Sequence, residues 1–182
     1  MRYVALLRGI NVGGNTMMSM AELRLVFEGL GLRNVATYIN SGNLAFDAPA
    51  LENAESVDAE SELAKQIELV IAARFGRPVP VIVRRQDIIP GIVAGNPFAG
   101  QYDSHKEMHV LFLKEPLTPE QIAQIEELKS SDERFAASGG HVFVHLPMGV
   151  ADSFLGKGQV ERKLGVTFTA RNWRTVEKLA VL

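Results

Sequence analysis

The sequence contains no cysteine, and its charges of opposite sign nearly balance. The absence of cysteine excludes disulfides, thiolate metal sites and thiol nucleophiles, and it predicts a reducing, cytoplasmic setting. The 19 basic and 21 acidic residues give a formal net charge of −2. Proteins that bind the nucleic acid backbone usually carry a strong positive excess. Nucleic-acid binding is therefore disfavoured, although local basic patches keep it open.

Long apolar runs are also missing. No run approaches the roughly 20 apolar residues that a membrane-spanning helix needs. The chain begins with the strand-like segment "RYVALL" where a secretory signal would show a basic segment and a longer apolar stretch. With 182 residues, of which 47% are apolar and 22% charged, the chain can form one packed domain or two small ones. We expect no membrane partner, and the oligomeric state stays open.

The first half of the chain shows alternating strand and helix signals. "YVALLRGI" predicts a buried strand, and Ser19 with Glu22 forms the capping-box pattern that starts a helix. Two strands flank "NSG", an acidic segment leads into a second helix that ends at Gly76, and "PVPVIVRR" predicts a last strand. This β-α-β-β-α-β order predicts a ferredoxin-like unit over residues 1–88.

The second half repeats this order imperfectly. "EMHVLFLK" predicts a strand, and Thr118 followed by Pro119 predicts the start of a helix. "RFAAS" and "HVFVHLP" predict a hairpin around "GG", and "TARNWRTVEKLAVL" is interpreted as a terminal helix. The predicted fold class is therefore α+β, with two ferredoxin-like halves. The second half, residues 89–182, is predicted to be an incomplete βαββα unit with an extra C-terminal helix.

Within "RGINVGGNT", residues 9–16 match the phosphate-loop pattern G-x-x-x-x-G-K-[ST] at every fixed position except the lysine, where Asn15 stands. A phosphate loop leads directly into its helix, whereas the helix cap here is predicted only at Ser19. A nucleotide-hydrolysing loop is therefore disfavoured. Two interpretations remain: a nest of backbone amides that binds an anion beside Arg8, or a glycine turn that only redirects the chain.

Three further polar strings allow both a functional and a structural interpretation. "RNW" at 171–173 can stack a base or bind a phosphate, or it can pack and cap the terminal helix. "NSGN" at 40–43 and "NPF" at 96–98 offer exposed amides, but both are typical of turns.

Recognised catalytic and metal-binding patterns are not found in the sequence. His141 and His145 lie four apart on a predicted strand, which separates them by about 13 Å, too far to share one metal ion. No G-x-S-x-G string occurs, and the third strand of each half carries only one aromatic residue, Phe46 or Phe143, where an RNA-recognition motif has several. We therefore predict neither a metal nor a cofactor.

"LLRGINVGG", "YINSGN", "NPF" and "TARNWRTVEKL", in this order, resemble the bacterial domain-of-unknown-function family 1697 over nearly the whole chain. The resemblance implies a two-part α+β fold and a cytoplasmic bacterial setting, and it carries no established activity. It also indicates Asn96, Pro97 and Phe98, together with the polar and glycine residues of the other quoted strings, as candidate functional positions.

The favoured hypothesis is a non-enzymatic binding module for a small anionic ligand, phosphate-bearing or a nucleotide, at the glycine-rich loop and the RNW segment. The alternatives are an enzyme of unassigned chemistry in the same place, or a module for protein interaction or homodimerisation. The candidate ligand-binding residues are Arg8, Asn11, Gly13, Gly14, Ser41, Asn43, Arg171, Asn172 and Trp173.

Overall fold

The computed structural model describes residues 1–11, 17–49, 56–156 and 159–182. These residues form two compact units. Unit 1 consists of Met1–Gly91 together with Lys178–Leu182, and unit 2 consists of Ile92–Glu177. The last five residues therefore return to the first unit. The sequence gives no local signal for this return.

The elements of unit 1 follow the predicted order. They are β1 (Arg2–Leu7), α1 (Met20–Gly29), β2 (Arg33–Tyr38), β3 (Asn43–Asp47), α2 (Ser56–Phe75) and β4 (Val81–Arg85). A single 3₁₀ turn (Gln86–Ile88) and α3 (Ile89–Ala94) follow, and unit 2 begins within α3. The strands form one antiparallel sheet in the order β2-β3-β1-β4, so β2 and β4 lie at its edges.

The core of unit 1 lies between the sheet and its two long helices. Alternate residues of the central strands, among them Leu7, Leu44 and Phe46, pack with Phe27 of α1 and Ile67 of α2. The opposite face of the sheet is also apolar and buried, because Val4 and Leu6 are 0% exposed. Burial on both faces explains why β1 reads as a continuous apolar run in the sequence.

Unit 2 contains a second four-stranded sheet. Its elements are β5 (Met108–Leu113), α4 (Pro119–Leu128), β6 (Arg134–Ser138), β7 (His141–His145), α5 (Gln159–Leu164), β8 (Phe168–Asn172) and most of α6 (Trp173–Leu179), whose last two residues belong to unit 1. The strand order is β6-β7-β5-β8, and each pairing is antiparallel. The core on one face joins Leu111 and Val144 of the sheet to Ile125 of α4 and Val160 of α5. The described part of the chain thus has a mixed α and β structure with two four-stranded sheets and six α-helices.

The prediction that the second half lacks its last strand is wrong. "TARN" belongs to β8, which pairs with β5, and only the residues from Trp173 onwards are helical. Pairing and burial decide the conformation, since Phe168, Thr169 and Arg171 are all buried. The boundary is marked by Asn172, whose side-chain oxygen accepts the backbone N–H of Thr175 at 3.0 Å, as an N-cap does.

The predicted helix starts are confirmed. Ser19 accepts the backbone N–H of Glu22, and Thr118 forms a full capping box with Gln121, with Pro119 in the first turn. Of the described helices, none is both long enough and apolar enough to cross a membrane.

Candidate functional site

Four of the predicted site residues lie at one end of the sheet of unit 1. Arg8 and Asn11 lie in the segment after β1, while Ser41 belongs to the turn between β2 and β3 and Asn43 is the first residue of β3. The two segments are joined by a backbone hydrogen bond from the N–H of Leu7 to the carbonyl of Gly42 at 2.8 Å. Gly13 and Gly14 lie outside the described residues.

The carboxamide of Asn11 links both segments. Its Nδ2 donates to the carbonyl of Met18 at 3.0 Å and to the carbonyl of Asn40 at 2.8 Å. Its Oδ1 accepts the backbone N–H of Met18 at 2.7 Å. Asn11 has a φ of 56°, a left-handed conformation that asparagine tolerates better than most residues. The side chain therefore fixes the place where the chain returns after residues 12–16.

The turn between β2 and β3 is fixed from within. Asn43 is fully buried and donates to the carbonyl of Tyr38 at 3.1 Å and to Oγ of Ser41 at 2.9 Å. Gly42 has a φ of 78°, and a Cβ at this position would lie 2.7 Å from Cβ of Leu7. Only glycine fits this close approach of the turn to β1.

Arg8 supplies the positive charge of this region. Its backbone N–H donates to the carbonyl of Pro80 at 2.9 Å, and its side chain is half-buried. Gly9 follows with a φ of 65°. A turn with left-handed residues directs successive backbone amides to one side, which is how amide nests for anions are built.

The other three predicted residues belong to unit 2, where each has partners in its own unit. Arg171 is buried, and its Nη1 donates to Oγ1 of Thr169 at 2.6 Å and to the carbonyl of Ala170 at 2.9 Å. Burial lowers the pKa of Arg171 to about 10, so the side chain remains charged at neutral pH. Asn172 is the N-cap of α6. Trp173 is 7% exposed and meets the ring of Tyr102 edge to face.

Sequence reasoning missed a polar cluster elsewhere in unit 2. Nη2 of Arg134 lies 3.0 Å from Nδ1 of His145, and Nε2 of His145 lies 3.7 Å from a carboxylate oxygen of Glu107. The guanidinium of Arg134 also stacks on the ring of Phe98 at 4.9 Å. Arg134, His145 and Glu107 come from β6, β7 and the segment before β5, respectively. No local spacing in the sequence could therefore have revealed this polar cluster.

The "NPF" string closes a turn beside this cluster. Oδ1 of Asn96 accepts the backbone N–H of Phe98 at 3.0 Å, and its Nδ2 lies 3.2 Å from the hydroxyl of Tyr102. Phe98 is the buried aromatic anchor of the turn.

Two buried histidines of unit 2, His109 and His145, each have one ring nitrogen without a hydrogen-bond partner. His109 on β5 is 7% exposed, and its buried Nδ1 has no hydrogen-bond partner. Burial lowers the pKa of His109 to about 4. The described residues contain no group of three or more His, Asp or Glu side chains that could hold a metal ion.

The chemistry of the four-residue group in unit 1 favours binding over proton transfer. Carboxamides and serine hydroxyls do not ionise near neutral pH, and a guanidinium remains charged there. Such a set supplies the positive charge of Arg8, which an anion needs, while the amide donors of Asn11 and Asn43 are bonded to oxygens of the protein itself. It supplies no general base.

Comparisons with known proteins place the chain in a family. A model for a family described as a protein of unknown function, DUF1697, matches residues 1–143. Among solved structures, the chain is similar to the conserved bacterial protein SP0830 from Streptococcus pneumoniae, with 26% sequence identity and a TM-score of 0.73. That match covers 98% of this chain and 96% of the other. A search of curated proteins finds no significant match. The chain belongs to the DUF1697 family, for which no function is named.

Proposed function

We propose that this protein is a non-enzymatic binding module for a small anionic ligand that carries a phosphate group, and that the anion binds beside Arg8 in unit 1. The observation that carries the proposal is the convergence of Arg8, Asn11, Ser41 and Asn43 at the end of β1. A guanidinium binds phosphate oxygens with charge-assisted hydrogen bonds. The absence of cysteine from the sequence supports a cytoplasmic setting for this binding.

The hydrogen bonds of the two asparagines support a pre-organised site. Asn11 and Asn43 donate to backbone carbonyls of the chain itself, so their role is to fix Met18 and the turn between β2 and β3. A ligand that meets a fixed site loses less conformational entropy of the protein on binding. Arg8 and the backbone amides around Gly9 are then the groups that contact the anion.

The strand orders also support the interpretation of both units as ferredoxin-like halves. In each unit the first strand lies between the third and the fourth, and the second strand is at the edge. The predicted division into two subdomains, residues 1–88 and 89–182, stays a prediction. Arg171 to Trp173 have packing and capping roles in unit 2, and the proposal rests on unit 1 alone.

Titration calorimetry with inorganic phosphate, ribose 5-phosphate and nucleoside monophosphates tests the proposal. We expect at least one of these compounds to bind the wild type and the Arg8→Ala variant to lose about tenfold or more in affinity, because one charge-assisted contact is worth about 1.5–3 kcal/mol.

Arg33→Ala is the matched control. Arg33 is exposed at the start of β2, at the opposite end of the same sheet, so this variant removes the same charge away from the site. Its affinity should equal that of the wild type. No binding of any compound, or equal losses in both variants, would contradict the proposal.

A further inference from the structure

We infer that the ligand of this site carries a flat aromatic ring in addition to its phosphate, as a nucleoside monophosphate does, and that Ile39 and Met17 contact the face of that ring. This inference rests on the proposed function. Both side chains are exposed, Ile39 by 52% and Met17 by 73%. Ile39 lies within the "YINSGN" string, but neither residue is among the candidate ligand-binding residues selected from the sequence.

The backbone of Ile39 is strained. Its φ of 49° lies in the left-handed region, which a β-branched residue rarely adopts. Asn43 holds the carbonyl of Tyr38 on one side, and Asn11 holds the carbonyl of Asn40 on the other. Strain of this kind persists only where the surrounding structure enforces it, and it occurs preferentially at ligand sites.

The same carboxamide brings Met17 to this place. Nδ2 of Asn11 donates to the carbonyls of Met18 and Asn40 at 3.0 and 2.8 Å, so these two oxygens lie within ~6 Å of each other. Met17 and Ile39 directly precede these two residues. Two large exposed apolar side chains, those of Met17 and Ile39, therefore belong to segments that the carboxamide of Asn11 holds together.

The chemistry of the surroundings selects the ligand class. Exposed apolar side chains gain by covering an apolar surface, and a methionine adapts its shape to an aromatic ring. Arg8, three residues before Asn11, supplies the complementary charge for a phosphate. A ligand that satisfies both features has an anionic group and a planar ring in one small molecule.

Calorimetry with AMP and ribose 5-phosphate tests this inference, because the two compounds differ by the base. We expect the wild type to bind AMP at least about tenfold more tightly than ribose 5-phosphate. In Ile39→Asn this ratio should fall below about threefold while the affinity for ribose 5-phosphate stays unchanged. Asparagine accepts the left-handed conformation, so the turn should keep its shape. Met17→Ala should reduce the same ratio.

Leu25→Gln is the matched control, since Leu25 is 66% exposed on α1 of the same unit and should leave the ratio unchanged. Equal binding of AMP and ribose 5-phosphate by the wild type would overturn this inference and leave the proposed function standing. An undiminished ratio in both Ile39→Asn and Met17→Ala would overturn the assignment of the two residues. Failure of both compounds and of inorganic phosphate to bind would overturn the proposed function itself.

Discussion

Gly42 shows how a single residue determines whether the turn of unit 1 can form. Its backbone is left-handed, and the missing side chain makes room for Leu7 and Ile10. In the corresponding hairpin of unit 2, Gly139 is also left-handed, with a φ of 54°, but a Cβ there would meet nothing within 4 Å. A side chain at Gly139 would therefore meet only an unfavourable backbone conformation, whereas a side chain at Gly42 would also overlap with its neighbours.

We expect Gly42→Ala to lower the free energy of unfolding by more than about 2 kcal/mol, because strain and steric overlap add. Gly139→Ala should cost only about 1 kcal/mol, since only the backbone conformation is unfavourable. Urea denaturation of both variants checks this difference. Equal losses would show that the close approach of Gly42 to Leu7 has no energetic weight.

His109 should make the protein less stable as the pH falls. Its pKa in the folded protein is about 4, below the ordinary value of 6.5. Between these two values the unfolded chain binds a proton that the folded protein does not, so stability decreases with falling pH. The full loss between pH 7 and pH 4 is about 3 kcal/mol.

The comparison of wild type with His109→Leu by urea denaturation at several pH values measures this contribution. The difference between the unfolding free energies of wild type and His109→Leu should change by about 3 kcal/mol from pH 7 to pH 4. His105→Leu, a change in the loop before β5, serves as the control and should follow the wild type. A constant difference for His109→Leu would contradict the prediction.

At the scale of whole elements, the spacing of two glutamates on α2 matches the length of β4. Glu60 and Glu68 lie eight residues apart on the helix, which is about 12 Å, and Val81 and Arg85 lie four apart on the strand, which is about 13 Å. Glu68 accepts the N–H of Val81 at 2.9 Å, and Glu60 accepts that of Arg85 at 2.7 Å. Two carboxylates thus cover the outer side of an edge strand.

The environment of Glu60 shows that burying its carboxylate beside β4 is in part unfavourable. Burial raises the pKa of Glu60, while the N–H of Arg85 and the charge of Arg84 act in the opposite direction. The carboxylate remains bonded to both groups, with Nη1 of Arg84 at 3.5 Å.

We expect the double variant Glu60→Ala with Glu68→Ala to expose the amides of Val81 and Arg85 to hydrogen exchange. The amides of Ile82 and Arg84 point towards β1 in an antiparallel pair and should remain protected. Exchange measured by NMR distinguishes the two sets. Glu62→Ala, a change at an exposed position of the same helix, is the control and should leave the exchange of all four amides unchanged. Faster exchange of all four amides in the double variant would contradict the prediction, because it would indicate a general destabilisation of β4.

Local signals predicted most of the elements correctly, and the failures have a common cause. Ser19 and Thr118 mark helix starts through contacts within three residues, which a sequence displays directly. The strand at 168–172 depends on pairing with β5, about 60 residues earlier, and its last residue doubles as a helix cap. Ile39 could not be selected because its strained backbone depends on Asn11, far away in the sequence. The polar cluster of Arg134, His145 and Glu107 also could not be predicted, because its members come from three segments that are far apart in the sequence.

At the scale of the whole molecule, the last residues of the chain stabilise the first unit. Nη2 of Arg2 donates to the carbonyl of Leu182 at 2.8 Å, and Nε2 of Gln86 donates to the carbonyls of Leu179 and Leu182, each at 3.0 Å. Leu179 is fully buried.

We therefore expect Leu179→Ala to destabilise unit 1 by about 2–4 kcal/mol, as the loss of a buried leucine usually does. Hydrogen exchange should accelerate in β1 and β4, although the substitution follows all of unit 2 in the sequence. Val181→Ala, at a position that is 74% exposed, is the control and should change little. Unaltered protection of β1 and β4 in Leu179→Ala would contradict this coupling.

The carboxylates on the outer side of β4 also restrict what kind of partner unit 1 can accept. An extended peptide that adds a strand to a sheet must bond to the outward N–H groups of the edge strand. At β4 two of these groups are already bonded to Glu60 and Glu68, so a peptide would have to displace both carboxylates and separate Glu60 from Arg84. Recognition of peptides by strand addition is therefore disfavoured at this edge, which keeps β4 from serving as a template for other chains.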